Sequence, residues 1–411
     1  MMNFEQKLEN YAELVIKKGV NVQKGQPVMI ACPIESYELG YLMAKKAYDC
    51  GASDVVFNWY DDALGLLRYE KAPLESFQEF PEWIKIRQEY YFKKNGAVIS
   101  ITSSDPTLLE SVDPEKIQAS NIAQSKVMKP IMKYTMNDMN AWCVVGAASK
   151  GWAKCVFPDL EPEEAVEKLW DAIFYTTRCD QEDPIGAWDE HVATMDRHAR
   201  FLNEKQFKYL HYKNSLGTDL TIELPKNHKF LSAGSTSDIG AEFIANMPTE
   251  EVFTLPKKDG VNGVVYSSKP LNYGGNLIDG MRFVFRDGKV VEYSAEKGQQ
   301  YLDQMFSVDE NGKYLGEVAL VPYDSPISNL DIVFMNTLFD ENASCHLAFG
   351  KAYPTCLEGG TRLTDEELEE KGVNDSLIHE DFMIGTEDLS IIGELENGEK
   401  LELFKDGNFA I

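Results

Sequence analysis

The strongest constraint on the fold lies in residues 27–59. PVMIAC (27–32) is a continuous apolar run, a helical stretch over roughly 36–49 follows, Gly51 breaks it, and DVVFNW (54–59) is a second run. Strand, helix, strand at this spacing is a parallel crossover unit, whose strands are buried on both faces. Upstream, Phe4, Leu8, Tyr11, Ala12, Val15 and Ile16 form a helical stripe that ends at Gly19. AVISIT (97–102) and WCVVGA (142–147) supply further strands with helical stretches between them. The first part of the chain is expected to be an α/β domain on an open sheet.

The pattern then changes. EPEEAVEKLWDAIF and AWDEHVATMDRHARFL make residues 160–206 helical, and Asp183-Pro184 is a break between the two stretches. From Phe207 onward strands and turns dominate: YLHYKN, DLTIELP, FVFRDGKVVEY with a hairpin signal at Asp287-Gly288, and YLGEVALVP. In the tail SIIGEL and KLELF flank Asn397-Gly398, and Thr364 with Glu367 is a capping-box sequence. This part is expected to be α+β with a mostly antiparallel sheet. The expected domains are 1–183 and 184–411.

Several classes are excluded early. The N-terminal MMNFEQKLEN has no apolar segment of a secretory signal, and no window approaches the ~18 apolar residues of a membrane span. The seven cysteines are scattered and form no CxxC pair. A cytoplasmic location with reduced thiols is the expectation. Forty basic against 67 acidic residues leave a formal charge of -27. That field repels nucleic acid and anionic membranes and favours amine-bearing substrates, though solubility is its plainer consequence.

There is no GxGxxG after a strand, no Walker A loop, no GxSxG elbow and no HExxH. The N-terminal unit therefore reads as a structural or dimerising scaffold. Six histidines can be weighed singly. His191 and His198 lie seven apart on a polar helix and are expected to be solvated. His211 and His228 sit beside lysines with no acidic partner in local register. His346 in NASCHLAFG and His379 in IHEDFMIG remain. On a strand, His379 and Asp381 leave the same face and can reach one ion, although a buried salt-bridged pair has the same pattern. Glu317 interrupts the apolar YLGEVALVP, where a carboxylate is costly unless a cation or several donors hold it. Glu250 and Glu251 stand together in NMPTEEVFTLP. On a strand they would point opposite ways, so at most one would face a site. This set suits a two-ion hydrolytic centre of zinc, cobalt or manganese with a bridging water.

At these segments the chain resembles the aminopeptidase T and aminopeptidase S family of bacterial metallopeptidases. NMPTEEVFTLP (246–256), LGEVALVP (315–322), NTLFDENASCHLAFGKAY (336–353) and IHEDFMIG (378–385) carry the resemblance. SSDP (103–106) and Lys129-Pro130 add to it, so that it runs essentially the full length and is nearest the aminopeptidase S branch. The resemblance implies a dinuclear, broad-specificity aminopeptidase acting on short peptides with a free N-terminus. It implies metal ligands at Glu251, Glu317, His346, His379 and Asp381, and an active-site tyrosine at Tyr353. It also implies a homodimer with a smaller N-terminal α/β domain and a catalytic C-terminal domain. The expected cofactor is two divalent ions, zinc foremost, with cobalt, manganese or magnesium as alternatives. Glu250 falls outside the ligand set and is the candidate proton-transferring carboxylate, against an outward-facing strand residue as the competing reading. Tyr353 would donate to the oxyanion formed as water adds. The rival functions are a metal-dependent hydrolase of non-peptide amides or esters, and a peptide-binding or scaffold protein with a structural metal site. A structural zinc would fill four positions and leave none open.

Overall fold

The computed structural model describes residues 2–274 and 276–411. Contacts divide the chain into two compact units, Met1–Glu190 with Gly234–Pro248, and His191–Ala233 with Thr249–Ile411.

In the first unit, α1 (Phe4–Leu14) begins with a reciprocal capping box between Asn3 and Gln6. Its apolar stripe continues through a wider turn to Gly19. β1 (Pro27–Pro33), α2 (Tyr37–Asp49) and β2 (Asp54–Tyr60) make the crossover, with β1 and β2 parallel from Pro27↔Asp54 to Pro33↔Tyr60. β3 (Ala97–Thr102) pairs with the other side of β1, and β4 (Trp142–Gly146) with β3. A two-residue strand, Asn246–Met247, completes a five-stranded sheet in which every pair is parallel. Apolar runs rather than alternating ones occupy its centre because helices cover both faces. The Tyr11 hydroxyl donates to the Gly146 carbonyl at 3.0 Å and accepts from the Gly146 N–H at 3.1 Å, fixing α1 at the end of β4.

The second unit is antiparallel. β5 (Tyr209–Lys213) and β6 (Asp219–Glu223) form the middle of an eight-stranded sheet. On the β6 side follow Val261–Tyr266, Arg282–Arg286 and Lys289–Ser294, and on the β5 side Ser390–Glu394, Lys400–Lys405 and Asn408–Phe409. Asp287 and Gly288 take φ of 48° and 78°, the two left-handed residues of a tight hairpin turn. Asp406 and Gly407 repeat this at φ of 48° and 70°. The capping box at Thr364 and Glu367 starts the helix Asp365–Glu370.

A second, four-stranded sheet has the order Val252–Thr254, Leu315–Leu320, His346–Gly350, His379–Met383. Every residue of its two central strands is buried. One of its faces is aromatic: Phe349 and Phe382 stack at 4.7 Å, and Phe349 meets Phe283 at 4.8 Å and Phe306 at 5.0 Å. Because Phe283 belongs to the strand Arg282–Arg286, these rings form a shared core between the two sheets. The expected fold class of both parts is thus the observed one. The difference lies in the antiparallel strands, which separate into an eight-stranded sheet, a four-stranded sheet and two two-stranded ribbons; alternation marks a strand but not its partner. Among the described residues no helix is long and apolar enough to cross a membrane. All seven cysteines are free thiols.

Candidate metal centre

The other face of the four-stranded sheet is polar. Register places Glu317 opposite Ala348 and Ala348 opposite Asp381, so the two carboxylates flank one methyl group. His346 precedes Ala348 by two residues and His379 precedes Asp381 by two, which puts all four functional side chains on the same face. Glu251 enters just before the strand Val252–Thr254. The result is two groups that share one member: Glu251, Glu317 and His346; and Glu317, His379 and Asp381, with donor atoms in each group within 4.8 Å of one another.

Backbone carbonyls set the tautomer of both rings. His346 Nδ1 donates to the Glu341 carbonyl at 2.8 Å and His379 Nδ1 to the Lys351 carbonyl at 2.7 Å. Each Nε2 is thereby turned toward carboxylates: His346 Nε2 is 3.2 Å from Glu251 Oε2 and 3.6 Å from Glu317 Oε1. His379 Nε2 is 3.4 Å from Glu317 Oε2 and 3.8 Å from Asp381 Oδ1. An imidazole anchored through Nδ1 with Nε2 aimed at carboxylates is the arrangement of metal-ligating histidine.

The electrostatics point the same way. Burial would raise the Glu317 carboxyl, but hydrogen bonds from His346 and His379 outweigh it and bring it to about 2. Burial followed by the Glu317 charge raises Glu251, despite His346. Burial also raises Asp381. Burial opposes charge on both rings, yet the carboxylates prevail: Glu251 and Glu317 hold His346 well above the ordinary range, and Asp381 and Glu317 take His379 to about 10. Among the described residues no Lys or Arg pairs with these carboxylates. A buried cluster that must take up protons to offset its negative charge is one from which a cation can displace them.

Glu341 is part of this cluster and escaped the sequence reasoning. Burial and then the charges of Asp381 and Glu251 push it well above the carboxylate range, and its side chain hydrogen-bonds to Asp381. It lies on a single short turn, Glu341–Ala343, where no periodicity marks it. Its nearness in sequence to His346 was the available signal.

Tyr353 follows the strand His346–Gly350 and packs edge-on against His379, ring centroids 5.0 Å apart, and against Phe253 at 6.0 Å. Burial, then Glu317 and Asp381, raises its phenol well above 10, so it stays a donor at neutral pH. Glu250 is 5% exposed. The pair Glu250–Glu251 precedes its strand rather than lying on it, so strand alternation does not apply and both are buried; the outward-facing reading of Glu250 fails. His191 differs from its expected solvated state. Its side chain is 13% exposed, its Nε2 donates to the Thr249 carbonyl at 2.8 Å, and that nitrogen stands 3.4 Å from Glu250 Oε2. His198 stacks on Phe409 at 4.1 Å. His211 does have an acidic partner, Glu394 at 2.8 Å, supplied by a distant strand. His228 is buried, with Nδ1 bonded to the Pro225 carbonyl.

A family model described as thermophilic metalloprotease (M29) matches residues 4–409. Aminopeptidase AmpS of Bacillus subtilis (strain 168) is 48% identical over 410 residues, covering 100% of both chains. Aminopeptidase 2 of Geobacillus stearothermophilus is 46% identical over 100% of this chain and 99% of its own. Wild-type AmpT from Thermus thermophilus has a solved structure with a TM-score of 0.93 at 39% identity, over 100% of each chain. A 2,5-dihydroxypyridine dioxygenase from Pseudomonas putida KT2440 shares the fold alone, with a TM-score of 0.54 at 12% identity over 100% of this chain and 99% of its own. A fold does not dictate a reaction, so the chemistry has to come from the site.

Proposed function

The chain belongs to the thermophilic metalloprotease (M29) family and is a metallo-aminopeptidase, and on that premise we propose that it removes N-terminal residues from short peptides with broad specificity, using two divalent ions. Glu251, Glu317, His346, His379 and Asp381 would hold the ions, with Glu341 as a further carboxylate of the same cluster. The observation that carries this reading is the sharing of Glu317 by both donor groups, which suits a carboxylate bridging two cations. Imidazole with hard oxygen donors suits zinc foremost, then cobalt, manganese or magnesium.

When bound, such cations supply Lewis-acid chemistry, acidifying water and polarising the scissile carbonyl. The chain's own groups do the rest. Glu250 accepts the proton of the attacking water and passes it to the leaving amine. Tyr353, held neutral by its surroundings, donates to the oxyanion as charge develops. The acidic cluster offers the substrate's α-ammonium a partner, which confines cleavage to the chain end. Residues 184–411 would carry catalysis, and residues 1–183 would serve as scaffold and as the surface of a homodimer. The free thiols support a reducing, cytoplasmic setting.

The test is mass spectrometry of a short peptide and its N-acetylated twin over time, with and without chelator. Single residues should leave the free peptide in order, and chelator should stop their release. A blocked terminus leaves a group built for the amine unsatisfied, at about 1–3 kcal/mol or more, so the acetylated twin should be cut far more slowly. Internal fragments, or equal rates for the twins, would overturn the exopeptidase reading.

A further inference from the structure

Helix Pro184–Lys205 brings one imidazole to the peptide unit between Thr249 and Glu250. The carbonyl edge of that unit accepts from His191 Nε2 at 2.8 Å, and its N–H edge donates to Asn342 Oδ1 at 2.7 Å. Asn342 is itself fully buried and tied by Nδ2 to the Leu338 carbonyl at 3.0 Å. One peptide plane is therefore gripped on both edges by side chains. The plane sets the direction in which the Glu250 side chain leaves the backbone. The same His191 Nε2 also lies 3.4 Å from Glu250 Oε2, so one nitrogen touches both the backbone and the carboxylate of this residue. Because Nε2 faces a carbonyl, it carries the proton.

We infer that His191 is a positioning residue for Glu250, an inference that rests on the reading of Glu250 as the proton carrier. General-base catalysis requires the carboxylate within hydrogen-bond reach of the water it deprotonates, and a displacement of about 1 Å can cost roughly 10²-fold. A glutamate with three rotatable side-chain bonds is held in one direction only if its backbone and its oxygens are both fixed. His191 fixes the backbone by its hydrogen bond to the Thr249 carbonyl and lines the carboxylate at Oε2, and it does so from a helix, a more rigid support than a loop. His191 meets the Thr249 carbonyl and the Glu250 carboxylate, so its effect should run through Glu250 and leave the ions in place.

The experiment is a double-mutant cycle with metal content, kcat and KM measured for each variant. H191F keeps a ring of similar volume without the N–H; H191Q keeps a donor. H191F should lose about 10–100-fold in kcat, the usual cost of removing an outer-shell orienting partner, with KM and metal content near wild type. H191Q should recover most of that loss. In an E250Q background, H191F should add nothing further, because the group it positions no longer transfers a proton. Equal kcat for H191F and H191Q overturns the inference, as does loss of metal from H191F or multiplication of the two losses in the double variant. E250Q slow with H191F at wild-type turnover sinks the inference alone. E250Q at wild-type turnover sinks the reading of Glu250 and the inference with it.

Discussion

Glu317 Oε2 lies 3.4 Å from His379 Nε2 although the strand His346–Gly350 runs between the two strands that bear them. The contact is possible because Ala348, the residue between, has almost no side chain. Glu317 reaches His346 with its other oxygen, at 3.6 Å, and so is the hinge of both donor groups.

Glu317→Gln should therefore lower bound metal at both positions, whereas His379→Ala should spare the group that lacks it. The loss of activity for Glu317→Gln should exceed the about 10–100-fold typical of an outer-shell partner. Elemental analysis of the purified variants, alongside turnover, checks this. A Glu317→Gln protein with full metal stoichiometry would remove Glu317 from the bridging role.

Metal binding should release protons. In the metal-free chain His346 is held well above the imidazole range and His379 at about 10, while Glu251, Asp381 and Glu341 are raised by burial and mutual repulsion. All five bind protons more tightly than free side chains, and a cation needs the unprotonated forms. Apparent affinity should consequently rise with pH across the neutral range. Calorimetry in two buffers of different ionisation heat gives the number released; a binding heat independent of buffer would contradict the proton-laden cluster.

Much of this candidate site is legible in the sequence, for reasons specific to each residue. His379 and Asp381 are two apart on a strand, so period two alone puts them on one face. Glu317 stood out as the one charge in an apolar run. Glu251 and His346 came through the resemblance of their segments, and the choice within the Glu250–Glu251 pair could not come from alternation because neither lies on a strand. Glu341 was hidden in an irregular turn. His191 was misjudged because its neighbours on the helix are polar, while the groups that bury it, Thr249 and Glu250, lie some sixty residues away. The division of the antiparallel strands among separate sheets is likewise invisible in the sequence: Val261–Tyr266 and Leu315–Leu320 look alike in pattern and pair in different sheets.

Tyr353→Phe should keep the ions and slow turnover by about 10²–10³-fold, the usual cost of losing one oxyanion donor. The ring contacts with His379 and Phe253 survive the change, since Phe fills the same volume less one oxygen. Thermal stability should accordingly stay close to wild type. If metal content falls, the hydroxyl belongs to the ion site; if turnover is unchanged, the phenol takes no part.

Ala348 supplies the last prediction. It sits in register with Glu317 on one side and Asp381 on the other and is fully buried. Those two carboxylates belong to the same donor group, and both would hold a cation beside this alanine. Ala348→Val adds two methyl groups at that point. Valine favours the strand backbone, so the sheet should tolerate it locally, and overpacking of this kind costs about 1–3 kcal/mol rather than the whole fold. The added bulk occupies the space between the carboxylates and holds them apart. Metal affinity should then fall steeply while the far-ultraviolet circular dichroism spectrum is retained. Ala348→Gly is the control: it removes bulk, weakens the strand modestly, and should still bind metal. Metal titration of the two variants decides the matter. If Ala348→Val binds metal with unchanged affinity, Glu317 and Asp381 do not hold it together, and the assignment of this sheet face as the metal centre fails.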